Sequence, residues 1–377
     1  MHYLNVITKN YDRVLLGAII ALLVLGTIML YSASSVRSLT ETGGRTDTVY
    51  LVAHLKRALI SIIVMFGFMM LDYRKLKTIS FWLITGSIVL LILTKIFFAS
   101  RWLFLGPFSF QTSDIARLSL IIYLAAYIDL KREQLKDFYH GFLPPVLIIV
   151  LLMGVIVIQP DFSTAAMIGL IGTIMLFTGG ARLPQLLATG ATGLVVAIPV
   201  LMMETYRRAR VMDWFNGNQD TATIGYQTHQ SLISLSNGGF FGLGLGNSME
   251  KNLFLPEPHT DFIFAIIGEE LGFVGGVVIL TIFLFIFQRG IRIAKRSTDP
   301  FGIMLAIGIS FSFILYAFVN AAVVTNVFPV TGLPMPLISY GGSGMLINLA
   351  GMGILLNISQ AKRSVTAKHG WRSMLHD

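Results

Sequence analysis

The sequence LPEPHTDFIFAIIGEELGF, residues 255 to 273, places proton-exchanging side chains at the edge of a run apolar enough to enter a membrane. Glu257, His259 and Asp261 lie at the start of this run. Histidine and the carboxylates are the usual general acids and bases of enzymes. An ionisable group at membrane depth costs about 2.5–3.5 kcal/mol, so we expect it to be functional or paired. Asp261 is therefore the first candidate for chemistry, and its alternative role is to cap the following helix.

Two glutamates, Glu269 and Glu270, lie deeper in the same apolar run. Glu269 is eight residues beyond Asp261, which in a helix is about 12 Å further along and about 80° round the axis. Glu270 points away from Asp261. Buried glutamates of this kind more often neutralise a basic residue of a neighbouring helix than take part in catalysis. The basic residues that could neutralise them are Lys56, Arg57, Lys95 and Arg117.

Two aspartates precede other apolar runs. Asp114 opens the run in FQTSDIARLSL, and Arg117 follows three residues later on the same helical face. Asp114 is therefore either a site residue or an N-terminal carboxylate favoured by the helix dipole and paired with Arg117. Asp161, in QPDFSTA, lies between two runs. It is either a site residue or a turn former ahead of a serine or threonine cap.

The composition indicates a membrane protein. Charged residues make up 12% of the 377 residues and hydrophobic residues 55%, whereas about 25% of a typical soluble domain is charged. There is no cysteine, which excludes disulfides, thiolate catalysis and cysteine-ligated metal sites. The net charge of +9 occurs as short basic clusters between apolar runs, which argues against nucleic-acid binding.

The elements that must position these residues are membrane-spanning helices. A span needs about 20 mostly apolar residues, and ten such runs predict an all-α, polytopic, single domain over residues 1–377. The runs lie near 14–33, 51–71, 80–98, 114–130, 143–159, 163–179, 184–203, 262–288, 302–324 and 338–360. Lys and Arg concentrate in the connections on one side, which by the positive-inside rule places both termini and the basic tail 361–377 in the cytoplasm.

Two connections break this plan of short loops. The first, residues 204–260, is a large extracytoplasmic loop between the seventh and eighth spans, in which we expect a short amphipathic helix on the membrane and then a glycine-rich turn. The second, residues 326–344, is rich in proline and glycine. Irregular backbone at membrane depth is tolerated only where it is buried in protein or lines a wet cavity, so we expect a water-accessible cavity on the outer side.

Several of these motifs together resemble the FtsW/RodA/SpoVE family of shape, elongation, division and sporulation proteins. They are FLPEPHTDFIFAIIGEELG, TGLPMPLISYGGSG, RWLFLGPFSFQTSDIARL, QPDFSTA and GFFGLGLGNS. The resemblance covers nearly the whole chain in the right order. Within the family, NSMEKNLFLPEPHTDF and VVTNVFPVTGLP look more like the division branch than the elongation branch.

The resemblance implies a peptidoglycan glycosyltransferase of the cytoplasmic (inner) membrane. Such proteins polymerise lipid II on the outer face of that membrane, beside a class B penicillin-binding protein and other membrane proteins of the division or elongation machinery. Asp261 matches the family's essential aspartate in its His-Thr-Asp motif. The resemblance thus makes Asp261 the base that receives the acceptor proton, or the residue that organises that base, with Asp114, Asp161, Glu257, His259 and Glu269 in support.

The leaving diphosphate of such a reaction needs fixed positive charge. The candidate residues are Lys56, Arg57, Arg101, Arg117, Arg208 and Arg210, and each could instead attract lipid headgroups or form an ion pair. The family is associated with a divalent cation, and Asp261 could share Mg²⁺ or Mn²⁺ with the substrate phosphates. No organic cofactor is implied.

The chain departs from the family at a few positions. Thr112, Ser113 and Asp114 stand where Pro-Ser-Glu is common, and Arg117 replaces the usual lysine. These changes keep an acid and a base but alter the geometry of their ion pair.

Two other functions remain open. A polytopic protein with intramembrane charges and broken helices could be a transporter that flips lipid II. The polar residues gather toward the outer side, however, and no internal repeat is visible, which favours the enzyme. The second alternative is a non-catalytic scaffold for division proteins, against which Asp261 argues.

Overall fold

The chain is a bundle of long helices with one small hairpin. The computed structural model describes residues 11–98, 100–105, 108–215, 225–252 and 254–360. Its helices are α1 Arg13–Glu41, α2 Val49–Met70, α3 Arg74–Phe98, α4 Thr112–Lys131, α5 Leu143–Ile158, α6 Phe162–Gly179, α7 Leu183–Met203, α8 Thr205–Phe215, α9 Tyr226–Gly238, α10 Ile263–Arg296, α11 Pro300–Val324 and α12 Ser343–Ser359. A 3₁₀ helix, Glu133–Lys136, and a π-helical turn, Phe138–Phe142, connect α4 to α5.

The predicted all-α membrane architecture is confirmed. Each of the ten apolar runs falls on a helix, namely α1 to α7 and α10 to α12. Eight helical segments in the described part of the chain are long and apolar enough to cross a membrane; α4 and the 17-residue α12 are not among them. The outer helices expose apolar side chains, as in α7, where Leu194 and Val195 are exposed. The protein is therefore a multi-pass membrane protein; the predicted tail 361–377 lies outside the described residues.

A two-stranded antiparallel hairpin, absent from the prediction, precedes α4. Strands β1 Trp102–Leu105 and β2 Phe108–Gln111 pair with Trp102 opposite Gln111. Gln111 ends the hairpin and connects it to the bundle, because its N–H donates to Ser343 Oγ of α12 at 3.0 Å. The hairpin therefore lies at the same end of the bundle as the start of α12.

The long connection between α7 and α10 contains two short helices in its described part. α9 falls where the short helix was predicted and is followed by the predicted glycine turn, its place on the membrane stays a prediction, and α8 was not predicted. Serines of α9 face the bundle: Ser231 Oγ donates to the carbonyl of Val324 at 3.1 Å, and Ser234 Oγ donates to that of Ala265 at 3.1 Å. These contacts fix α9 against α10 and α11.

Helix α10 is broken at Gly272, which has φ 69° and ψ −171°. This conformation is open to glycine but strained for other residues. In an unbroken helix, the N–H groups of residues 273 and 274 would donate to the carbonyls of Glu269 and Glu270. Here they donate instead to the carbonyls of Gly239 and Phe240, at 2.9 and 3.2 Å. The first part of α10, residues 263–271, is therefore a separate helical arm.

The second irregular connection, residues 326–342, is buried in protein over residues 333–339 for the most part, whereas Val327 and Phe328 are exposed. Leu333, Met335, Leu337 and Ile338 are all buried. Gly26 of α1 permits the close approach, because a Cβ there would lie 2.5 Å from the carbonyl oxygen of Leu337. The segment therefore satisfies the expected condition for non-helical backbone inside a membrane protein.

Candidate active site

Asp261 lies two residues before α10 and does not cap it. The N-cap of α10 is Phe262, which makes no side-chain capping hydrogen bond. The main chain of Asp261 is fixed instead by α11, since Asn320 Nδ2 donates to its carbonyl at 2.8 Å. The alternative role as a helix cap is therefore not what holds Asp261 in place.

The carboxylate of Asp261 is half-buried and has no hydrogen-bond or ion-pair partner among the described side chains and backbone groups. It faces Gly332, where a Cβ would lie 3.3 Å from Asp261 Oδ2. Burial raises its pKa to about 6, the positive charges of Arg101 and Arg210 oppose the rise, and the negative charges of Glu257 and Asp161 add to it. A carboxyl group with a pKa near 6 can accept a proton at neutral pH.

Arg101 and Asp161 lie beside one another at this site. Asp161 is the N-cap of α6, where its Oδ1 accepts from Thr164 N at 3.2 Å, and its Oδ2 accepts from Gln111 Nε2 at 2.7 Å. Arg101 Nη1 lies 3.9 Å from Asp161 Oδ2 and is 44% exposed. Asp161 is therefore itself the cap, and it holds the hairpin near Asp261.

An open cavity of about 280 Å³ adjoins this pair. Lys95, Ser100, Arg101, Gln159 and Pro160 line it. Its positive side chains can attract an anion, because fixed ammonium and guanidinium groups bind phosphate oxygens strongly. Its lining includes neither Asp261 nor any residue of 326–344, the segment from which a water-accessible cavity was predicted, so that cavity stays a prediction.

His259 is a packing residue. Its side chain is only 3% exposed, and its ring lies 4.6 Å from the ring of Tyr50 and 5.6 Å from that of Tyr340. Burial lowers its pKa to about 4, so the ring is neutral at physiological pH. The N–H of Tyr340 also donates to the carbonyl of His259 at 2.8 Å. His259 thus fixes the chain two residues before Asp261.

Arg57 and Glu257 border the same aromatic group. The guanidinium of Arg57 lies 4.6 Å from the centre of the Tyr340 ring, and it lines a cavity of about 130 Å³ with Ser109 and Gly342. Glu257 accepts from Arg37 Nη1 at 2.9 Å, which joins the Asp261 segment to α1. Arg57 thus contacts the aromatic group that borders the Asp261 segment.

The structure gives Arg117 a different place from the predicted diphosphate contact. Arg117 is 3% exposed; its Nη2 lies 3.5 Å from Asp114 Oδ1 and donates to Asn348 Oδ1 at 3.0 Å. Its guanidinium stacks over Tyr316 at 4.3 Å. Asp114 also accepts from Ser343 Oγ at 2.9 Å. The predicted pair exists, but it lies inside the bundle, so Arg117 has too little exposed surface to contact a substrate.

The predicted partners of the two glutamates were wrong. Glu269 and Glu270 are both fully buried. Glu270 Oε1 lies 3.4 Å from Lys251 Nζ, a residue of the connection before α10 rather than of a neighbouring helix. Glu269 accepts from Ser234 Oγ at 3.0 Å and from the N–H of Met249 at 3.0 Å.

The remaining basic candidates divide into two kinds. On α8, Arg210 Nη1 donates to the carbonyl of Val330 at 3.2 Å, and Trp214 Nε1 donates to that of Asn326 at 3.0 Å. These bonds bring Arg210 toward Asp261. Arg208 of α8 and Lys56 of α2 are exposed on the surface. The structure brings Arg101 and Arg210 to Asp261 and gives no such placement for Arg208 or Lys56.

The described side chains do not form a metal cage. No group of three or more His, Asp and Glu residues that could hold an ion occurs among them. Asp261 could supply one hard oxygen ligand, and Glu257 and Asp161 contribute negative charge nearby. Such a set fits a divalent cation only if substrate phosphates supply the other ligands.

Several site residues were missed by the sequence reasoning. Asn320, Gly332 and Tyr340 all hold or face the segment that carries Asp261, and they come from α11 and the connection after it. The available signal was the density of proline and glycine in residues 326–344, which indicated an unusual segment without identifying its contacts.

The comparisons with known proteins agree with one another. The family model of FtsW, RodA and SpoVE, described as "Cell cycle protein", matches residues 13–364. The chain is 40% identical to the probable peptidoglycan glycosyltransferase FtsW of Trichlorobacter lovleyi, over 93% of each protein. It is 37% identical to the stage V sporulation protein E of Bacillus subtilis, over 94% of this chain and 99% of that relative.

Solved structures show the same fold. A chain of a peptidoglycan synthase complex aligns with a TM-score of 0.76 at 25% identity, over 97% of this chain and 99% of that chain. The rod shape determining protein RodA of Thermus thermophilus aligns with a TM-score of 0.68 at 24% identity, over 93% of this chain and 96% of that one. Because the family model and the relatives cover nearly the whole sequence, the chain belongs to the FtsW/RodA/SpoVE family.

Proposed function

We propose that this protein is a peptidoglycan glycosyltransferase that polymerises lipid II on the outer face of the cytoplasmic membrane. The observation that carries the proposal is the half-buried carboxylate of Asp261, which has no hydrogen-bond or ion-pair partner in the described part of the chain, with a pKa raised to about 6 and with Arg101 and Arg210 close enough to influence it. Family membership with probable glycosyltransferases supports the same function. Both termini lie in the cytoplasm in this proposal, as the distribution of Lys and Arg predicts.

In the proposed reaction, the 4-hydroxyl oxygen of one disaccharide attacks the anomeric carbon of another. The new C–O bond forms as the bond to the diphosphate breaks, and undecaprenyl diphosphate leaves with the electron pair. An α-linked donor giving a β-1,4 product requires inversion, hence a single displacement. Asp261 receives the hydroxyl proton as general base. Arg101, with Lys95 across the cavity, and Arg210 stabilise the negative charge of the leaving group.

A divalent cation, Mg²⁺ or Mn²⁺, would be held by Asp261 and by the phosphate oxygens of the substrate. When bound, it would supply further positive charge to the leaving diphosphate. The partner is proposed to be a class B penicillin-binding protein, a transpeptidase, and a structural neighbour from a peptidoglycan synthase complex supports this proposal.

The test is glycan polymerisation from purified fluorescent lipid II in liposomes, with the partner transpeptidase and a divalent cation. The parent should form polymer and Asp261→Asn should form none. Asp47→Asn is the matched control, because Asp47 is partly exposed and its carboxylate accepts a hydrogen bond from Tyr31. Movement of lipid II across the bilayer without polymer formation would instead favour a transporter.

A further inference from the structure

The connection before α10 is attached to the break in that helix by main-chain hydrogen bonds. At Gly272 the helix leaves the carbonyls of Glu269 and Glu270 without their usual donors. The N–H groups of Leu243 and Gly244 donate to these two carbonyls at 2.9 and 3.0 Å. The N–H groups of Phe273 and Val274 donate in return to the carbonyls of Gly239 and Phe240, as described above. Residues 239–244 therefore satisfy, on both sides of the break, the backbone groups that a continuous helix would have paired.

The side chains of the same two glutamates hold the next part of the connection. Ser248 Oγ donates to Glu269 Oε2 at 2.5 Å, and Ser248 N donates to Glu270 Oε1 at 3.4 Å. Lys251 Nζ lies 3.4 Å from Glu270 Oε1 and donates to the carbonyl of Gly246 at 2.6 Å. Residues 246–251 are thus held at the end of the helical arm opposite Asp261.

Two helices complete this cluster. Ser32 of α1 donates to Glu270 Oε1, also at 2.5 Å, and Ser234 of α9 donates to Glu269 Oε2 at 3.0 Å. Both glutamates are fully buried and Lys251 is 8% exposed. Glu270 is paired with Lys251, whereas Glu269 is held by hydrogen bonds alone among the described residues, and Glu270 Oε2 is buried there without a hydrogen-bond partner. Buried carboxylates depend strongly on the contacts that they do make, so these contacts define the geometry of the cluster.

The arm connects this cluster to the candidate active site. Asp261 lies just before residues 263–271, and Gly272 ends them, a separation of eleven residues or about 16 Å in a helix. A tilt of about 10° at the break would therefore move Asp261 by about 3 Å. Displacements of about 1 Å can reduce the rate of an enzyme about a hundredfold.

We propose that Glu269, Glu270 and Lys251 are positioning residues, which set the angle of the helical arm 263–271 and so the place of Asp261 relative to Arg101 and Arg210. This inference rests on the proposed function, because it takes Asp261 as the base. In this proposal Glu269, Glu270 and Lys251 hold the helical arm at one angle through their buried contacts and do not themselves touch substrate.

The test measures polymerisation kinetics of the full chain with its partner transpeptidase. Lys251→Met leaves Glu270 with its charge and without its counter-ion, and we expect kcat to fall about tenfold or more while the lipid II concentration for half-maximal rate stays within about twofold. Lys251→Arg should retain most of the rate. The double variant Lys251→Met/Glu270→Gln should recover part of it, because no unpaired charge remains.

Ser248→Ala is the mild variant if Lys251→Met does not fold, because it removes one hydroxyl and should also lower kcat. Glu133→Gln is the control, since Glu133 is exposed in the 3₁₀ helix after α4. The positioning role would be overturned if folded Lys251→Met and Ser248→Ala kept the full kcat. It would also be overturned if these variants changed only the lipid II concentration for half-maximal rate. A parent that forms no polymer, while Asp261→Asn behaves identically, would instead reject the proposed function.

Discussion

Asn320 Nδ2 donates hydrogen bonds to the main-chain carbonyls of Asp261 and Leu333, both at 2.8 Å. One amide group of α11 therefore joins the segment before α10 to the segment before α12. Gly332, which faces the Asp261 carboxylate, is the neighbour of the second bonded residue. Asn320 is thus one of the residues that hold the base in place relative to the backbone it faces.

Asn320→Ala should destabilise the protein and reduce polymerisation. It leaves two carbonyls without a donor, at a cost of about 1–3 kcal/mol for each group that stays buried and unsatisfied. Thermal unfolding in detergent and the polymerisation rate measure the two effects. Asn252→Ala is the control, since Asn252 is exposed in the connection before α10. An unchanged rate in Asn320→Ala would show that this bridge does not position Asp261.

The rate of the free enzyme should fall as the pH drops through about 6, because Asp261 must be ionised to accept a proton. Removing the positive charge in Arg101→Gln should move this acid limb to higher pH, and removing the negative charge in Glu257→Gln should move it to lower pH. The measurement is kcat/KM against pH for the three proteins. Shifts of the same sign in both variants would contradict Asp261 as the titrating group.

The stability contribution of Asp261 has the opposite pH dependence. Its folded pKa, about 6, is above the ordinary value of 3.8, so the protonated form favours folding. That contribution is complete below about pH 3.8 and is lost as the pH rises through about 6. Asp261→Asn should therefore raise the Tm at pH 7.5 and change it less at pH 4.5. A larger gain at the lower pH would contradict the raised pKa.

Arg210 should contribute to lipid II binding more than Arg208 does, although both lie on α8. Arg210 influences Asp261, whereas Arg208 is exposed. Loss of a charge-assisted hydrogen bond costs about 1.5–3 kcal/mol, so Arg210→Gln should raise the half-saturating lipid II concentration about tenfold or more. Arg208→Gln should have a smaller effect in the same titration. Equal effects would indicate general attraction to anionic lipid instead of a defined contact.

Arg117→Leu should destabilise the bundle by about 3–5 kcal/mol, because Asp114 would be left buried without its counter-ion. Asp114→Asn/Arg117→Gln should recover part of the loss, since neither charge remains. Thermal unfolding of the single and double variants provides the measurement. If Arg117→Leu were as stable as the parent but had a higher half-saturating lipid II concentration, Arg117 would again be a candidate diphosphate contact.

Comparing Gly242→Ala with Gly246→Ala distinguishes the cost of backbone strain from the cost of a steric clash with a neighbouring segment. Both glycines have positive φ, 81° and 82°, but a Cβ at Gly242 would lie 2.2 Å from the carbonyl oxygen of Glu270, whereas one at Gly246 meets open space. Gly246→Ala should cost only about 1 kcal/mol of conformational strain. Gly242→Ala should lower the Tm further, because residues 239–244 could no longer complete the break in α10. Equal Tm shifts in the two variants would contradict a close contact between Gly242 and the backbone of Glu270.

The sequence by itself determined the membrane architecture, because twenty-residue apolar runs have few other stable places than a bilayer. All ten runs fall on helices. It also predicted the pair of Asp114 and Arg117, since residues three apart share a helical face. The motif around Asp261 identified the candidate base through a family resemblance.

Only the tertiary structure decided which charges meet. Lys251, not a residue of a neighbouring helix, pairs with Glu270, because the break at Gly272 admits the connection before α10. Arg101 and Arg210 influence Asp261 from the residue before β1 and from α8, which lie 160 and 51 residues away in sequence. Such contacts depend on how separate elements pack, and local periodicity carries no information about partners so distant along the chain.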